Sequence, residues 1–445
     1  MNILIYGATK FGKMAATELF RDHNITLMDE LPQLPESFGH LDIRYISGHS
    51  TDIKALQEAG LDTIDYFIAS SDLDEANMVA CWTIKKISDI ETICFIGRAD
   101  LFHNINSLSH TSYQTPYDID TTIWPEQLLT QDVFRILSVP GAYEVEHFAG
   151  GRVKLLEYKI TTDSPICNVR VTDYPFPPQL LIIGIIRDHT LYISDGQTTI
   201  LEGDKVVFMG TETGLSTLVT LLFKENNPVK TVTVIGGGNV GFMLATKLEQ
   251  SHIKLKIIER NHDRCRYLAD TLSKSLVLQG DGTDLELLEN ESVGDCDVTV
   301  CVTDNDEKNL LCGLLAKQLG SGRIITRVGN IRNAELFERV GIDIVVSPED
   351  SALQELLNRL QKPAIDILAR IERGQGELLR ITLPDSFIEK RLMDINMPAK
   401  AIIGVVQHER DLSIPNGRSI VKPGDQLKVF TMAKDAEAIK SFFLQ

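Results

Sequence analysis

Val232-Thr233-Val234-Ile235-Gly236-Gly237-Gly238-Asn239-Val240-Gly241 is an apolar strand running into a glycine-spaced turn, with an amphipathic helical pattern beyond it. That is the opening of a dinucleotide-binding βαβ unit. The same text stands near the start of the chain as Ile3-Leu4-Ile5-Tyr6-Gly7-Ala8-Thr9-Lys10-Phe11-Gly12. One such turn is weak evidence, but two with matching landmarks in the same order are not an accident of composition.

The landmarks recur in register. Leu27-Met28-Asp29 matches Ile257-Ile258-Glu259, and Gly48-His49-Ser50-Thr51 matches Gly280-Asp281-Gly282-Thr283. Asp72, Asp74, Glu75 and Asn77 match Asp304, Asp306, Glu307 and Asn309, and Arg98 matches Arg327. Trp124-Pro125-Glu126 matches Ser347-Pro348-Glu349, and Leu201-Glu202-Gly203-Asp204 matches Lys422-Pro423-Gly424-Asp425. The chain is a tandem duplication.

In each half, strands such as Ile3–Tyr6, Ile25–Met28, Tyr66–Ala69 and Val298–Val302 alternate with helical patterns such as Asp74–Ile87. That alternation predicts an α/β fold with a doubly wound parallel sheet. After Pro140-Gly141, and again from about Gly376, the chain becomes strand-rich, which predicts a small α+β domain behind each Rossmann-like one. The expected divisions are 1–138, 139–226, 227–362 and 363–445, with Asn226-Asn227-Pro228 as a linker. The helical segments Pro125–Leu137 and Pro348–Leu360 lie between domain types; Leu353, Leu356, Leu357 and Leu360 make one apolar stripe. Periodicity leaves two readings open: burial on the helix's own domain, or a crossover onto a partner domain.

A net charge of −18 over 445 residues argues against a nucleic-acid partner, which needs a cationic surface. Seven cysteines with no C-x-x-C pair fit a reducing, cytoplasmic setting. No signal peptide is apparent and no apolar stretch is long enough to span a bilayer, so membrane attachment would fall to a partner.

The candidate cofactor contacts follow from the turn chemistry. The first glycine permits the bend, the second admits the pyrophosphate, the third lets the helix pack, and the helix N-terminus favours anions. In the second half these are Gly236, Gly238 and Gly241, with Gly237, Asn239 and Val240 between them. The first half offers Gly7, Ala8, Thr9, Phe11 and Gly12, where Thr9 in the middle position is expected to crowd the phosphates or force a shifted pose. Asp29 and Glu259 end the second strand, where a carboxylate accepts from ribose hydroxyls and disfavours a 2′-phosphate. Asp281 and Thr283 face the same crevice; the first half has His49 and Thr51 there. Arg98 and Arg327 stand at the cleft mouth, either for phosphate or paired within the chain to the acidic group at the next helix start. That acidic group reads as N-cap and first-turn charge rather than as metal ligands. Arg187, His408 and Arg410 near strand ends read as exposed surface residues. No H-E-x-x-H, G-x-S-x-G or Walker A pattern appears, so the sequence shows no catalytic constellation.

The paired glycine turns, Gly280-Asp281-Gly282-Thr283, the Asp/Glu-x-Asn helix starts and the Gly-Asp pairs at 203–204 and 424–425 resemble the RCK (KTN) domain family over essentially the whole chain. The tandem order, each RCK_N domain followed by an RCK_C domain, is similar to regulatory subunits of bacterial Trk potassium uptake systems. The resemblance implies a non-enzymatic homotetramer that binds NAD(H), or ATP and ADP, in the RCK clefts. It also implies attachment to the inner face of the cell membrane through a potassium-translocating TrkH or TrkG type subunit, gated by the nucleotide. An NAD-dependent oxidoreductase and a regulator of another cation transporter are the competing readings.

Gly238→Asp should weaken nucleotide binding far more than Thr9→Asp in a binding titration. Equal losses would overturn this ranking of the two clefts.

Overall fold

The computed structural model describes residues 1–108, 117–139, 142–148, 152–222, 229–360, 365–372, 374–409 and 411–444. Strands β1 (Asn2–Tyr6), β2 (Asn24–Asp29), β3 (Arg44–Ser47), β4 (Tyr66–Ala69), β5 (Glu91–Phe95) and β6 (Thr121–Ile123) form one parallel sheet in the order β3-β2-β1-β4-β5-β6. The strand order reverses beside β1, which places a crevice at the carboxyl ends of β1 and β4. Five strands follow: β7 (Ala142–Phe148), β8 (Val153–Lys159), β9 (Leu180–Arg187), β10 (Thr190–Tyr192) and β11 (Lys205–Thr211). They form an antiparallel sheet ordered β10-β9-β11-β8-β7.

The second half repeats both layers. Strands β12 (Thr231–Ile235), β13 (Lys254–Glu259), β14 (Leu276–Gln279), β15 (Val298–Cys301), β16 (Arg323–Arg327) and β17 (Ile344–Val346) take the order β14-β13-β12-β15-β16-β17. The final domain has β18 (Ile365–Ile371), β19 (Gly376–Thr382), β20 (Lys390–Arg391), β21 (Ala401–His408), β22 (Asp411–Ser413), β23 (Ile420–Val421) and β24 (Gln426–Met432). Its main sheet runs β18-β19-β24-β21-β22, beside a ribbon of β20 and β23. The linker at 226–228, the Pro140-Gly141 break and Arg410 lie outside the described residues.

The helices Pro125–Ser138 and Pro348–Arg359 resolve the open choice, because each packs on the opposite half. Leu129, Val133, Ile136 and Leu137 join the core of the second Rossmann-like sheet, against Val240, Leu244 and Leu248. Leu353, Leu356 and Leu360 join the first, against Phe11, Ala15 and Leu19. The apolar stripe is therefore the seam of an exchange. Where the two crossover helices meet, the Ser351 hydroxyl donates to Asp132 Oδ2 at 2.5 Å.

The two antiparallel sheets also pack on each other. Val153, Ile183, Val207 and Met209 share a core with Leu378, Val405 and Phe430. An added Cβ on Gly404 would lie 2.5 Å from Met209 Sδ, so the two faces approach as closely as a glycine permits. Gln375 Nε2 donates to His189 O at 2.7 Å, and Gln375 Oε1 accepts from Leu191 N at 3.0 Å across the same seam.

Arg187 and His408 are not idle surface groups. Arg187 donates from Nε and Nη2 to the carboxylate of Asp204 at 2.7 and 2.8 Å, and His408 Nδ1 lies 2.7 Å from Asp425 Oδ1. Both aspartates are 1% exposed. A buried carboxylate demands such partners, which accounts for the repeated Gly-Asp pair. The seven cysteines are free thiols, and all but Cys167 are buried.

A cavity of about 1370 Å³ lies between the halves, lined in part by Arg135, Lys205, Glu338, Asp350 and Arg370. Burial there, with Asp132 and then Glu349 nearby, raises the Asp350 carboxyl from 3.8 to about 6. A raised acid pKa favours the protonated fold, so this contribution is present below about pH 4 and lost as pH climbs through about 6. Asp350→Asn should therefore raise the melting temperature near neutrality, and the gain should vanish near pH 4 in calorimetric scans.

Leu356 is 0% exposed in the first half's core although it belongs to the second half's helix. Leu356→Ala should cost about 2–5 kcal/mol, and hydrogen exchange should quicken in β1 and β2 before β12 and β13.

Candidate nucleotide clefts

Each crevice is built from the glycine turn upward. Gly236 has φ +111°, and an added Cβ would sit 2.9 Å from Thr303 N, so only glycine makes this bend against the neighbouring strand end. A Cβ on Gly241 would lie 2.0 Å from Gly236 O, which is the close helix packing expected of the third glycine. Gly238 meets nothing within 4 Å. Among the described residues no side chain caps the helix Asn239–Leu248 behind it, so its N-terminus opens onto the crevice.

The first turn has the same bend, with Gly7 at φ +110° and a Gly12 Cβ 2.1 Å from Gly7 O. Its middle position carries a hydroxyl as well as a branched side chain. Thr9 turns its hydroxyl inward, accepting from Gly12 N at 3.1 Å and donating to Ser70 O at 2.9 Å. Thr9 thus caps the helix Lys10–Leu19 and uses up an amide that would otherwise serve an anion. Phe11 is buried beside Phe95, with ring centroids 4.0 Å apart.

The carboxylates after β2 and β13 fold back on the turns. Asp29 Oδ2 accepts from Ala8 N at 2.6 Å, and Glu259 Oε2 accepts from Gly237 N at 2.8 Å. Their other oxygens accept from Leu31 N and Asn261 N. Asp281 Oδ1 takes the N–H and hydroxyl of Thr283, while Oδ2 lies 3.2 Å from Lys308 Nζ. Those bonds, the Thr283 amide first, hold the Asp281 carboxyl at about 2. In the first half His49 takes Asp281's place, bonded to the Thr51 hydroxyl at 2.7 Å and 3.3 Å from Glu30. One cleft therefore carries an anion at this corner and the other an imidazole.

Both arginines are occupied within the chain. Arg327 Nη1 donates to Asp304 Oδ1 at 2.8 Å, and Arg98 pairs with Glu75 at 2.7 Å and Asp100 at 2.6 Å. The acidic residues Asp74, Glu75, Asp306 and Glu307 stand in the first helical turns as expected, but the N-cap positions belong to Leu73 and Asn305. Asp74 accepts from Gly97 N and Arg98 N, and Asp306 from Gly329 N, so they tie down the loops after β5 and β16. Asn77 and Asn309, buried just beyond, brace the same loops; Asn309 bonds Thr303 N, Thr303 O and Arg327 O at 2.8–3.1 Å. Among the described residues no acidic, histidine or cysteine group could hold a metal ion.

Two kinds of contributor were not legible from local sequence. Glu126, at the start of the first half's crossover helix, accepts from Asn239 Nδ2 at 2.9 Å and lies 3.9 Å from Arg327, inside the second cleft. Glu349 reciprocates from the second half, 2.9 Å from Lys10 Nζ beside the first turn. The Pro-Glu pair repeats in the sequence, but nothing local says that it serves the other half. The second kind, Arg264 on the helix His262–Thr271, touches the second turn from behind. The first half has no helix there, only a short 3-10 turn at Glu36–Phe38 among prolines.

Residues 3–110 and 232–348 match the TrkA-N domain, and residues 155–222 the TrkA-C domain. Relatives span the full chain. "Trk system potassium uptake protein TrkA homolog 2" of Methanosarcina mazei is 32% identical with 100% of both chains covered. "Trk system potassium uptake protein TrkA" of Halomonas elongata is 30% identical over 98% of this chain and 96% of its own. Among solved structures, the GsuK RCK domain covers 99% of this chain and 94% of its own, with TM-score 0.62 and 18% identity. The GsuK channel bound to NAD has TM-score 0.61 and 18% identity, covering 99% and 78%. At that identity the likeness speaks to the fold alone.

Proposed function

The chain belongs to the TrkA family of Trk potassium uptake proteins, and from there we propose that it is a nucleotide-binding regulatory subunit that gates a potassium-translocating membrane partner. The observation that carries this reading is the second cleft, where an uncapped helix N-terminus and an open Gly238 are joined through Glu126 to the other half. The site suits NAD(H), ATP or ADP. The turn amides would face the pyrophosphate, and Glu259 and Asp281 would lie near the ribose. The NAD-bound GsuK channel, which shares the fold, supports the ligand class.

An anion arriving at Asn239 meets Glu126, so occupancy bears directly on the crossover helix and the opposite domain. Reversing a 1:99 equilibrium needs about 5.5 kcal/mol of differential binding, which several sites in a homotetramer supply in shares. The membrane subunit is of the TrkH or TrkG type, and the protein sits on the cytoplasmic face through it. Among the described residues no helix is long and apolar enough to cross a membrane. The divisions at 138, 226 and 362 follow the same reading. No bond-making step is assigned to the protein.

Because the halves exchange helices, the test uses the whole chain. Calorimetric titration with NADH, NAD, ATP and ADP should show saturable binding that Gly238→Asp abolishes. Steady oxidation of NADH in the presence of carbonyl substrates would overturn the regulatory reading.

A further inference from the structure

We propose that Arg264 is a positioning residue that presents the amides of the second glycine turn to an anionic ligand. Its Nε donates to Gly237 O at 2.6 Å and its Nη2 to Gly238 O at 3.1 Å. The guanidinium carbon lies 4.8 Å from the Tyr267 ring centroid and 5.6 Å from that of Phe242, and these two rings are 5.5 Å apart. Cation–π contact with both rings fixes the guanidinium plane.

A trans peptide points its N–H opposite its C=O. Holding Gly237 O and Gly238 O toward Arg264 therefore sends the N–H groups of Gly238 and Asn239 the other way. That side is open, since an added Cβ on Gly238 has no neighbour within 4 Å. The Gly238 carbonyl also accepts from Phe242 N at 3.0 Å as the helix's first bond, so the clasp matters most at the Gly237–Gly238 peptide, which glycines on both sides would otherwise let turn over easily. With it, the donors are set before the ligand arrives, which is where preorganisation gains affinity.

The first half shows the contrast. No helix follows β2, and the turn is held from within, by the Thr9 hydroxyl on Gly12 N. Beyond the amide that Asp29 or Glu259 takes in each half, the first turn gives up Gly12 N to its brace, while the second is braced through its carbonyls. The inference rests on the second cleft being an anion site.

The test uses the full chain, Arg264→Met and Arg264→Lys, with ADP as probe. Two quantities are read: calorimetric affinity, and amide exchange at 236–241 in the ligand-free protein. Arg264→Met should lower ADP affinity about tenfold and speed exchange at the turn, with the melting temperature near that of the parent. Arg264→Lys, reaching one carbonyl, should restore part of both. Unchanged exchange in the ligand-free Met variant overturns the positioning role whatever happens to binding. Weaker binding with unchanged exchange would instead mean that Arg264 touches the ligand itself. If the parent protein binds no ADP, the nucleotide reading fails on its own, while the exchange data still decide whether Arg264 orders the turn.

Discussion

Everything in this molecule depends on two helices buried in the wrong half. Neither Rossmann-like sheet can close its apolar face alone, because Leu353, Leu356 and Leu360 complete the first and Leu129, Val133 and Ile136 complete the second. Burying such side chains is the main favourable term in folding, so the halves are locked together by their cores rather than by a removable interface. The same geometry carries Glu126 to Asn239 and Glu349 to Lys10. A packing requirement thereby puts a charged group of each half within reach of the other's glycine turn.

Within that symmetric frame the two clefts have diverged. The second keeps a free helix N-terminus, an acidic corner at Asp281 and an external brace. The first has a capped helix, His49 at the corner and no helix behind the turn. These are differences in which donors stay available, not in fold. They give one duplicated scaffold two unequal sites.

Much of this was written in the text of the chain. Long periodic segments such as Asp74–Ile87 and the five longer strands of each Rossmann-like sheet carry their own patterns. The sixth strands, Thr121–Ile123 and Ile344–Val346, are three residues long and show no period. Strand β7, directly after the Pro140-Gly141 break, was not anticipated either. At the sites, the glycines declared their roles through steric necessity that is local to the turn. The branched side chain of Thr9 is legible in the sequence, but the hydroxyl's inward bond to Gly12 N is not. Arg98 and Arg327 were left between phosphate and carboxylate, and only placement decides such a choice. Destination was the invisible quantity throughout: a leucine stripe says that a helix is buried, not in whose core.

The trade of helices also sets an order on biosynthesis. Lys10 and its partner Glu349 stand 339 positions apart, and the leucines that close the first sheet come after that partner. The amino-terminal part leaves the ribosome long before the piece that finishes it has been made. Domains usually condense one after another as they emerge; here the first must wait, with a hydrophobic groove uncovered, for most of the polypeptide to follow. Truncated products of this gene would thus be sticky rather than half-functional, and chaperone demand would fall on the nascent chain.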